Sequence, residues 1–288
     1  MEDDNTILTS DFPHTVRESL ERKYGGTAIY FSGDLGAVEI VGDGGQGTRT
    51  RFDGQDFPGV KGKSVSFART EAIGRDVAKG AVQALDQAQW SSVSAIEVQK
   101  ARLDVPMDNE GYLMLMQKGV LNALPMPREG ELPRVTTWIY AIRFGDAQIL
   151  TVPGELFPEV LSGVARHRRA DCPAADTRRP AEPAVWERMR GKYRFILGLT
   201  PDEMGYIVPG YDFLSPTLDV DHGGLKEAAD PCKAKGVPDH YHETNSASSQ
   251  MARAWACIAL GLLDGKMPST RACEGIKYEP VGVGTSKP

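Results

Sequence analysis

The sequence predicts an α/β fold in which a mixed sheet is layered with helices in a single domain. Two observations predict it. Polar and apolar residues alternate over residues 134–144 and again over 148–152, on either side of Gly145-Asp146, as in a β-hairpin. Residues 66–88 repeat apolar side chains at a period near 3.6, as a long helix does. Because helical and extended segments follow one another through 288 residues without an internal repeat, one domain of mixed class is expected.

The N-terminal part predicts a helix, a strand and a loop, in that order. Ser10-Asp11 can cap a helix, and Gly25 ends it. Residues 27–31 are near-continuously apolar, which is typical of a central strand covered on both faces. The glycine-rich residues 32–47 then predict a loop next to that strand.

The same two periodicities predict the remaining elements. Strands are predicted over residues 94–105, 194–199 and 206–208, and helices over 112–123, 156–167 and 248–263. Asn245 or Ser246 is the expected cap of the last helix. Residues 210–240 show little periodicity and much Gly, Pro and Asp, which indicates a long functional loop.

Composition is that of an ordinary globular protein and narrows the classes of partner. The 33 basic and 39 acidic residues give a net charge of −6 without a dense Lys/Arg block, so nothing supports nucleic-acid binding. The longest apolar run, residues 255–263, is far shorter than the roughly 20 residues that span a bilayer, so no transmembrane segment is expected. The sequence does not define an oligomeric state.

The N-terminus and the cysteines bear on the cellular compartment. Residues 1–5 are acidic and lack the basic-then-apolar pattern of a secretory signal, so the chain expressed as given is expected in the cytoplasm. Cys172 and Cys232 lie in proline-rich, loop-like sequence where an extracytoplasmic disulfide would be reasonable. Free thiols, with Cys257 buried on a helix, are the alternative, and the four cysteines (with Cys273) allow three complete pairings.

Carboxylates occupy two places where a site could form. Glu155 follows a strand end through Pro153-Gly154 and would project at the carboxyl edge of the sheet, where open α/β sheets place their sites. Alternatively, Glu155 only adds a favourable negative charge to a helix N-terminus. Asp34 and Glu39 lie in the glycine-rich loop and could act as acid/base groups.

A further group of candidate ligands lies near residue 241. In an extended segment His240 and His242 point to one face and Tyr241 to the other, so only one of these faces can look into a site. The two histidines would form a chelating pair suited to zinc. Both possibilities stay open at the level of the residues.

Three of these segments, taken in order, resemble a known family. They are Val-Pro-Gly-Glu-Leu at 152–156, Gly-Leu-Thr-Pro-Asp-Glu-Met-Gly-Tyr-Ile-Val-Pro at 198–209 and Tyr-His-Glu-Thr-Asn-Ser at 241–246. They resemble the C-terminal half of the catalytic domain of neutral/alkaline (non-lysosomal) ceramidases and their shorter bacterial relatives. The resemblance implies a zinc-dependent hydrolase of a lipid amide, N-acylsphingosine or a related molecule, with Glu155 and Tyr241 as zinc ligands. It also implies a secreted or periplasmic location in the intact family.

The sequence departs from that family at two points. The family loop of the form Asn-x-Gly-Asp-x-Ser-Pro corresponds to residues 32–39, where Ala37 stands at the acidic position and Glu39 at the serine position. The two zinc histidines of the family would precede residue 1. The resemblance therefore implies a truncated hydrolase domain over residues 1–288, an incomplete zinc site and weak or absent zinc binding.

Three hypotheses follow from these observations. The first is a ceramidase-like hydrolase with an incomplete metal site, in which oxygens of Glu155 and Tyr241 lie about 4–6 Å apart, close enough to share one ion. The second is a non-catalytic binding protein derived from the same fold. The third is an unrelated α/β hydrolase that uses Asp34 or Glu39 as its acid/base group.

Overall fold

The computed structural model describes residues 7–38, 49–58, 67–93, 95–121, 131–164, 182–219, 224–226, 242–266, 268 and 273. The chain groups into two compact units. The first consists of Met1–Phe31 and Glu39–Ser92, and the second of Ser32–Val38 and Val93–Pro288.

The first unit is a helix pair with a short hairpin. Its elements are α1 (Asp11–Tyr24), β1 (Arg49–Phe52), β2 (Gln55–Pro58) and α2 (Phe67–Asp86). Asp86, at the end of α2, receives hydrogen bonds from Lys23 Nζ and the Tyr24 hydroxyl, each at 2.6 Å, which tie the two helix ends together. Both predicted helices of this region are confirmed.

The predicted central strand at residues 27–31 is wrong. These residues form no strand, and the side chains of Ile29 and Phe31 are 74% and 56% exposed. The Ala28 N–H donates to Glu21 Oε1 at 2.9 Å, a side-chain acceptor, rather than to a neighbouring strand. A continuous apolar run becomes a central strand only when strands lie on both sides of it, and no described strand pairs with this segment.

The second unit is built on a four-stranded mixed sheet. In chain order its described strands are β3 (Ile96–Pro106), β4 (Arg134–Phe144), β5 (Ala147–Thr151), β6 (Glu155–Leu156), β7 (Tyr193–Leu197), β8 (Tyr206–Ile207), β9 (Thr217–Asp219) and β10 (Gly224–Lys226). The sheet order is β3-β4-β5-β7, with antiparallel pairing except between β5 and β7. The predicted hairpin around Gly145-Asp146 and the mixed α/β class are confirmed.

The helices of this unit are shorter than the sequence predicts. They are α3 (Glu110–Gln117), α4 (Pro158–Ser162) and α5 (Met251–Leu263), with 3₁₀ turns at Trp186–Arg188 and His242–Asn245. Gly163 ends α4 early because it adopts the left-handed conformation. The expected cap of the last helix is also wrong, since Gln250 precedes α5 while Asn245 ends a 3₁₀ turn.

Helix α5 covers one face of the sheet and forms the core. Trp255 is fully buried, and its indole Nε1–H donates to the carbonyl of Thr151 at 3.1 Å. Apolar side chains of β3, β4 and β5 complete this core, among them Leu103, Ile139 and Leu150. A disulfide between Cys257 on α5 and Cys273 closes a 16-residue separation. Within the described residues, no helix combines the length and apolarity needed to cross a membrane.

Candidate active site

The segments that the sequence singles out become neighbours through a short parallel ribbon. β6 pairs with β8 so that Glu155 lies opposite Tyr206. The Glu155 N–H donates to the carbonyl of Gly205 at 3.0 Å, and the Phe157 N–H to that of Ile207 at 3.3 Å. The Pro-Gly-Glu motif and the Met-Gly-Tyr motif are thus joined backbone to backbone.

Gly205 is the point where a third segment crosses the ribbon. It pairs with Ser246 in an isolated antiparallel bridge, and the Ala247 N–H donates to the carbonyl of Met204 at 3.1 Å. Gly205 has a φ of +79°, and a Cβ there would lie 1.6 Å from the carbonyl oxygen of Asn245. Only glycine accepts both that conformation and that approach, so the crossing depends on this residue.

The glycine-rich loop packs against the start of the same ribbon. The Gly36 N–H donates to the carbonyl of Leu156 at 2.9 Å, and a Cβ on Gly36 would lie 2.3 Å from the carbonyl oxygen of Glu155. Asp34, two residues earlier, is half-buried; burial raises its pKa, and the charge of Glu159 raises it further. The structure thus brings Asp34 to the edge of the site, whereas Glu39 lies outside the described residues.

Two carboxyl groups interact near the start of the ribbon, those of Glu155 and Glu203. Burial raises the pKa of Glu155, and the charge of Glu203 raises it further, because a second negative charge nearby disfavours ionisation. Burial also raises the pKa of Glu203, although the Gly205 N–H, which donates to Glu203 Oε1 at 2.7 Å, acts in the opposite direction. Glu203 lies in the segment 198–209, and the sequence pattern of that segment predicts no role for it.

His242 packs on two aromatic rings next to Glu155. Its imidazole packs edge-to-face on Tyr206, with ring centroids 4.7 Å apart, and on Phe157 at 5.1 Å. Tyr206 is the register partner of Glu155, and Phe157 follows Glu155 by two positions, so both lie on the Glu155 side of the ribbon. The imidazole of His242 is therefore on the same side of the ribbon as Glu155.

The predicted distance between Glu155 and Tyr241 is not tested, because His240 and Tyr241 lie outside the described residues. Their assignment as metal ligands stays a prediction.

Asn109 holds the crossing segment in place, and sequence reasoning missed it. Its amide Nδ2 donates to the carbonyls of Thr244 at 3.0 Å and Ser246 at 2.9 Å, with Glu243 O at 3.4 Å. Its Oδ1 accepts from the Tyr112 N–H at 3.1 Å and so caps α3. This buried side chain joins a helix start to the site, and an Asn just before a helical stretch is the signal that could have found it.

Tyr112 extends the group of titratable side chains. Burial raises the pKa of its phenol, and the charge of Glu203 raises it further, so the two groups lie within each other's field. The first turn of α3 therefore supplies both a backbone anchor, through Asn109, and a phenol next to Glu203. Nothing in the spacing of Tyr112 from the quoted motifs indicates this position, because the contact is made between distant parts of the chain.

The described residues do not make up a zinc site by themselves. A catalytic zinc needs three protein ligands, and no cluster of three His, Cys, Asp or Glu side chains that could hold a metal occurs in the part of the chain that the structure describes. Glu155 and His242 supply two donor types on one side of the ribbon.

Comparisons with known proteins give a limited result. No family model and no curated protein matches the chain. Among solved structures the chain is similar to the neutral ceramidase from Pseudomonas aeruginosa, with 13% identity and a TM-score of 0.49 over 98% of this chain and 46% of that one. A ceramidase complexed with C2 gives the same identity and TM-score over 98% and 47%. The chain thus spans less than half the length of these structures, and nothing about activity follows from a likeness of this degree.

Proposed function

We propose that the chain carries the site of a hydrolase that cleaves a linear lipid amide, of the ceramidase-like kind that its motifs resemble. The observation that carries this proposal is that Glu155, Glu203 and His242 meet at the β6–β8 ribbon. The charge of Glu203 acts on Glu155, and the His242 imidazole packs on Tyr206, the register partner of Glu155. They come from three separate segments, and glycine packing and backbone hydrogen bonds hold those segments together.

Amide hydrolysis suits a pair of carboxyl groups. One group must take a proton from the attacking water, and another must give a proton to the leaving amine. The Gly205 N–H bond to Glu203 Oε1 favours the ionised form of that carboxyl, so Glu203 is proposed as the base and Glu155 as the acid. Holding zinc together with Tyr241 is the alternative role of Glu155. It requires the ionised carboxylate and further ligands outside the described residues, so Glu155 would then not be the acid.

A non-catalytic binding protein is the second candidate function. Ala37 and Glu39 replace the acidic and serine residues that the resembling family carries in its loop. A chain that keeps the pocket but has lost these residues could bind a lipid amide without cleaving it.

Single-turnover hydrolysis distinguishes the two candidates. The chain is held in excess over a fluorescent N-acyl amide, with and without added zinc, so that a slow reaction is still measured. We expect product to form and its rate to fall by at least about a hundredfold in Glu203→Gln, the loss typical of a removed acid/base group. Glu155→Gln should show a comparable loss.

The control is Glu187→Gln, an exposed carboxylate on the 3₁₀ turn at Trp186–Arg188. It should keep the wild-type rate. If the wild-type chain binds the fluorescent amide but forms no product, with or without zinc, the binding protein is supported instead. If it neither binds the amide nor forms product, both candidates are rejected.

A further inference from the structure

Thr137 is a polar residue at a position whose surroundings favour an apolar one. It lies on the face of β4 that α5 covers, between Val135 and Ile139, and its register partner on β3 is Leu103. The side chain is 2% exposed, so its hydroxyl is almost entirely shielded from water. A buried hydroxyl costs free energy unless it finds a hydrogen-bond partner, and valine would fill the same space without that requirement.

The partner of this hydroxyl is a carboxylate from the candidate site. Thr137 Oγ1 donates to Asp202 Oδ2 at 2.5 Å, a length typical of a strong hydrogen bond from a hydroxyl to a carboxylate. Asp202 is itself exposed, and it directly precedes Glu203 in the chain. Because the α carbons of consecutive residues are about 3.8 Å apart, the bond fixes the backbone at the position next to the proposed base.

The segment 200–204, which carries both carboxylates, is anchored at its two ends. Its first N–H donates to the carbonyl of Val152 and its last N–H to that of Pro153, each at 2.9 Å. In the part of the chain that the structure describes, the backbone of residues 201–203 makes no hydrogen bond to another backbone group. The bond from Thr137 therefore ties the middle of the segment to the sheet.

Leu199, just before this segment, gives the backbone a reason to move if that bond is lost. Its φ is +54°, in the left-handed region that a leucine enters only against strain. Strained backbone persists only where contacts hold it, and it is found preferentially at functional sites. Removing one of these contacts allows the turn to relax and Glu203 to shift with it.

We propose that Thr137 is a positioning residue of the candidate site, whose hydroxyl, acting through Asp202, holds the carboxyl of Glu203 where it can take a proton from the attacking water. The Gly205 N–H holds the same carboxyl from the other side, at 2.7 Å from Oε1. The proposal rests on the proposed function, in which Glu203 is the base. A misplacement of about 1 Å in a catalytic group costs as much as a hundredfold in rate, so one buried hydroxyl is enough to matter.

Three threonine variants test the proposal by single-turnover hydrolysis. Thr137→Val removes the hydroxyl and keeps the shape of the side chain, and we expect it to lower the rate at least about tenfold without weakening the binding of the fluorescent amide. Thr137→Ser keeps the hydroxyl and should restore most of the wild-type rate. Thr151→Val is the matched control, because Thr151 is equally buried and its Oγ1 accepts the Tyr140 N–H at 2.9 Å within the sheet. This control should lose stability and keep the rate.

A second measurement needs no turnover. The Gly205 N–H donates to Glu203 Oε1, so its hydrogen exchange reports whether that carboxyl is in place. In Thr137→Val this amide should exchange at least about tenfold faster relative to the neighbouring Glu155 N–H, whose acceptor is a backbone carbonyl. Thr137→Ser and Thr151→Val should leave the ratio of the two exchange rates at its wild-type value, because a loss of overall stability speeds both amides alike.

The outcomes separate this proposal from the proposed function. If the wild-type chain forms no product, the proposed function fails, and the exchange of the Gly205 amide still decides whether Thr137 positions Glu203. An unchanged exchange ratio in Thr137→Val would overturn the positioning role, and so would a loss of rate that Thr137→Ser does not restore. Asp202→Ala removes the same bond at an exposed residue and takes the place of Thr137→Val if that variant does not fold.

Discussion

The two faces of the four-stranded sheet are both rich in apolar side chains, yet only one is covered. On β4, Val135, Thr137 and Ile139 are buried under α5, while Trp138 between them is exposed on the opposite face. The exposed face, which carries Trp138, Phe144, Tyr193 and Phe195, is more aromatic than the covered one. Hydrophobicity along a strand therefore shows which side chains could be buried, and the position of α5 decides which are.

Replacing one tryptophan on each side of the sheet with alanine should give the largest difference in the free energy of unfolding. Trp255→Ala removes a fully buried side chain and its hydrogen bond to Thr151, which should lower the free energy of unfolding by about 3–5 kcal/mol. Trp138→Ala removes an exposed ring and its contact with Lys100, and should cost less than about 1 kcal/mol. Denaturant unfolding at low protein concentration, where association does not add to stability, measures both values.

Trp255→Phe serves as a milder variant in case the alanine variant does not fold. Equal losses of unfolding free energy in the Trp255 and Trp138 variants would contradict the distinction between a covered and an exposed face.

The disulfide should give the next largest effect, and it also lies on the covered side. Opening the Cys257–Cys273 bond by the double change Cys257→Ser and Cys273→Ser should lower stability by about 3 kcal/mol, as expected for a closed loop of this length. Adding a reductant to the wild-type chain should lower its melting temperature in the same direction and should not affect the double variant. No change on reduction would mean that the bond does not form, and would favour the free thiols considered from the sequence.

The same comparison shows what the sequence could predict. The hairpin of β4 and β5 was predictable because alternation and Gly145-Asp146 are local signals. The strand at residues 27–31 was not, because its apolar run does not say whether strands lie beside it. Glu155 is a candidate because of a local Pro-Gly-Glu signal, and its role stays a prediction, whereas Asn109 acts through contacts more than 130 positions away in sequence.

Glu182 should give the smallest effect, a change in the pH dependence of stability, because it is a buried ionisable group. The side chain is buried, Oε1 accepts the Gly210 N–H at 3.0 Å, and Oε2 has no hydrogen-bond partner among the residues that the structure describes. Burial raises the pKa of Glu182, while the charge of Arg253 on α5 partly lowers it. A carboxyl whose pKa is raised by folding favours the folded state when protonated. Its contribution to stability is therefore complete below the unfolded value of about 4.5 and is lost as the pH rises through the raised folded value.

Glu182→Gln should remove this pH dependence while leaving the side chain's size nearly unchanged. The difference in unfolding free energy between wild type and variant should therefore grow as the pH rises from about 4.5 toward neutrality, with the variant gaining relative stability. Arg253→Gln should have the opposite effect on the wild-type curve, because without the cation the pKa of Glu182 rises further and the loss extends to higher pH. Denaturant unfolding at a series of pH values measures all three curves. If the two curves of unfolding free energy against pH run parallel for wild type and Glu182→Gln, Glu182 is ionised in the folded state much as in the unfolded chain. Its carboxyl is then better solvated than its burial indicates.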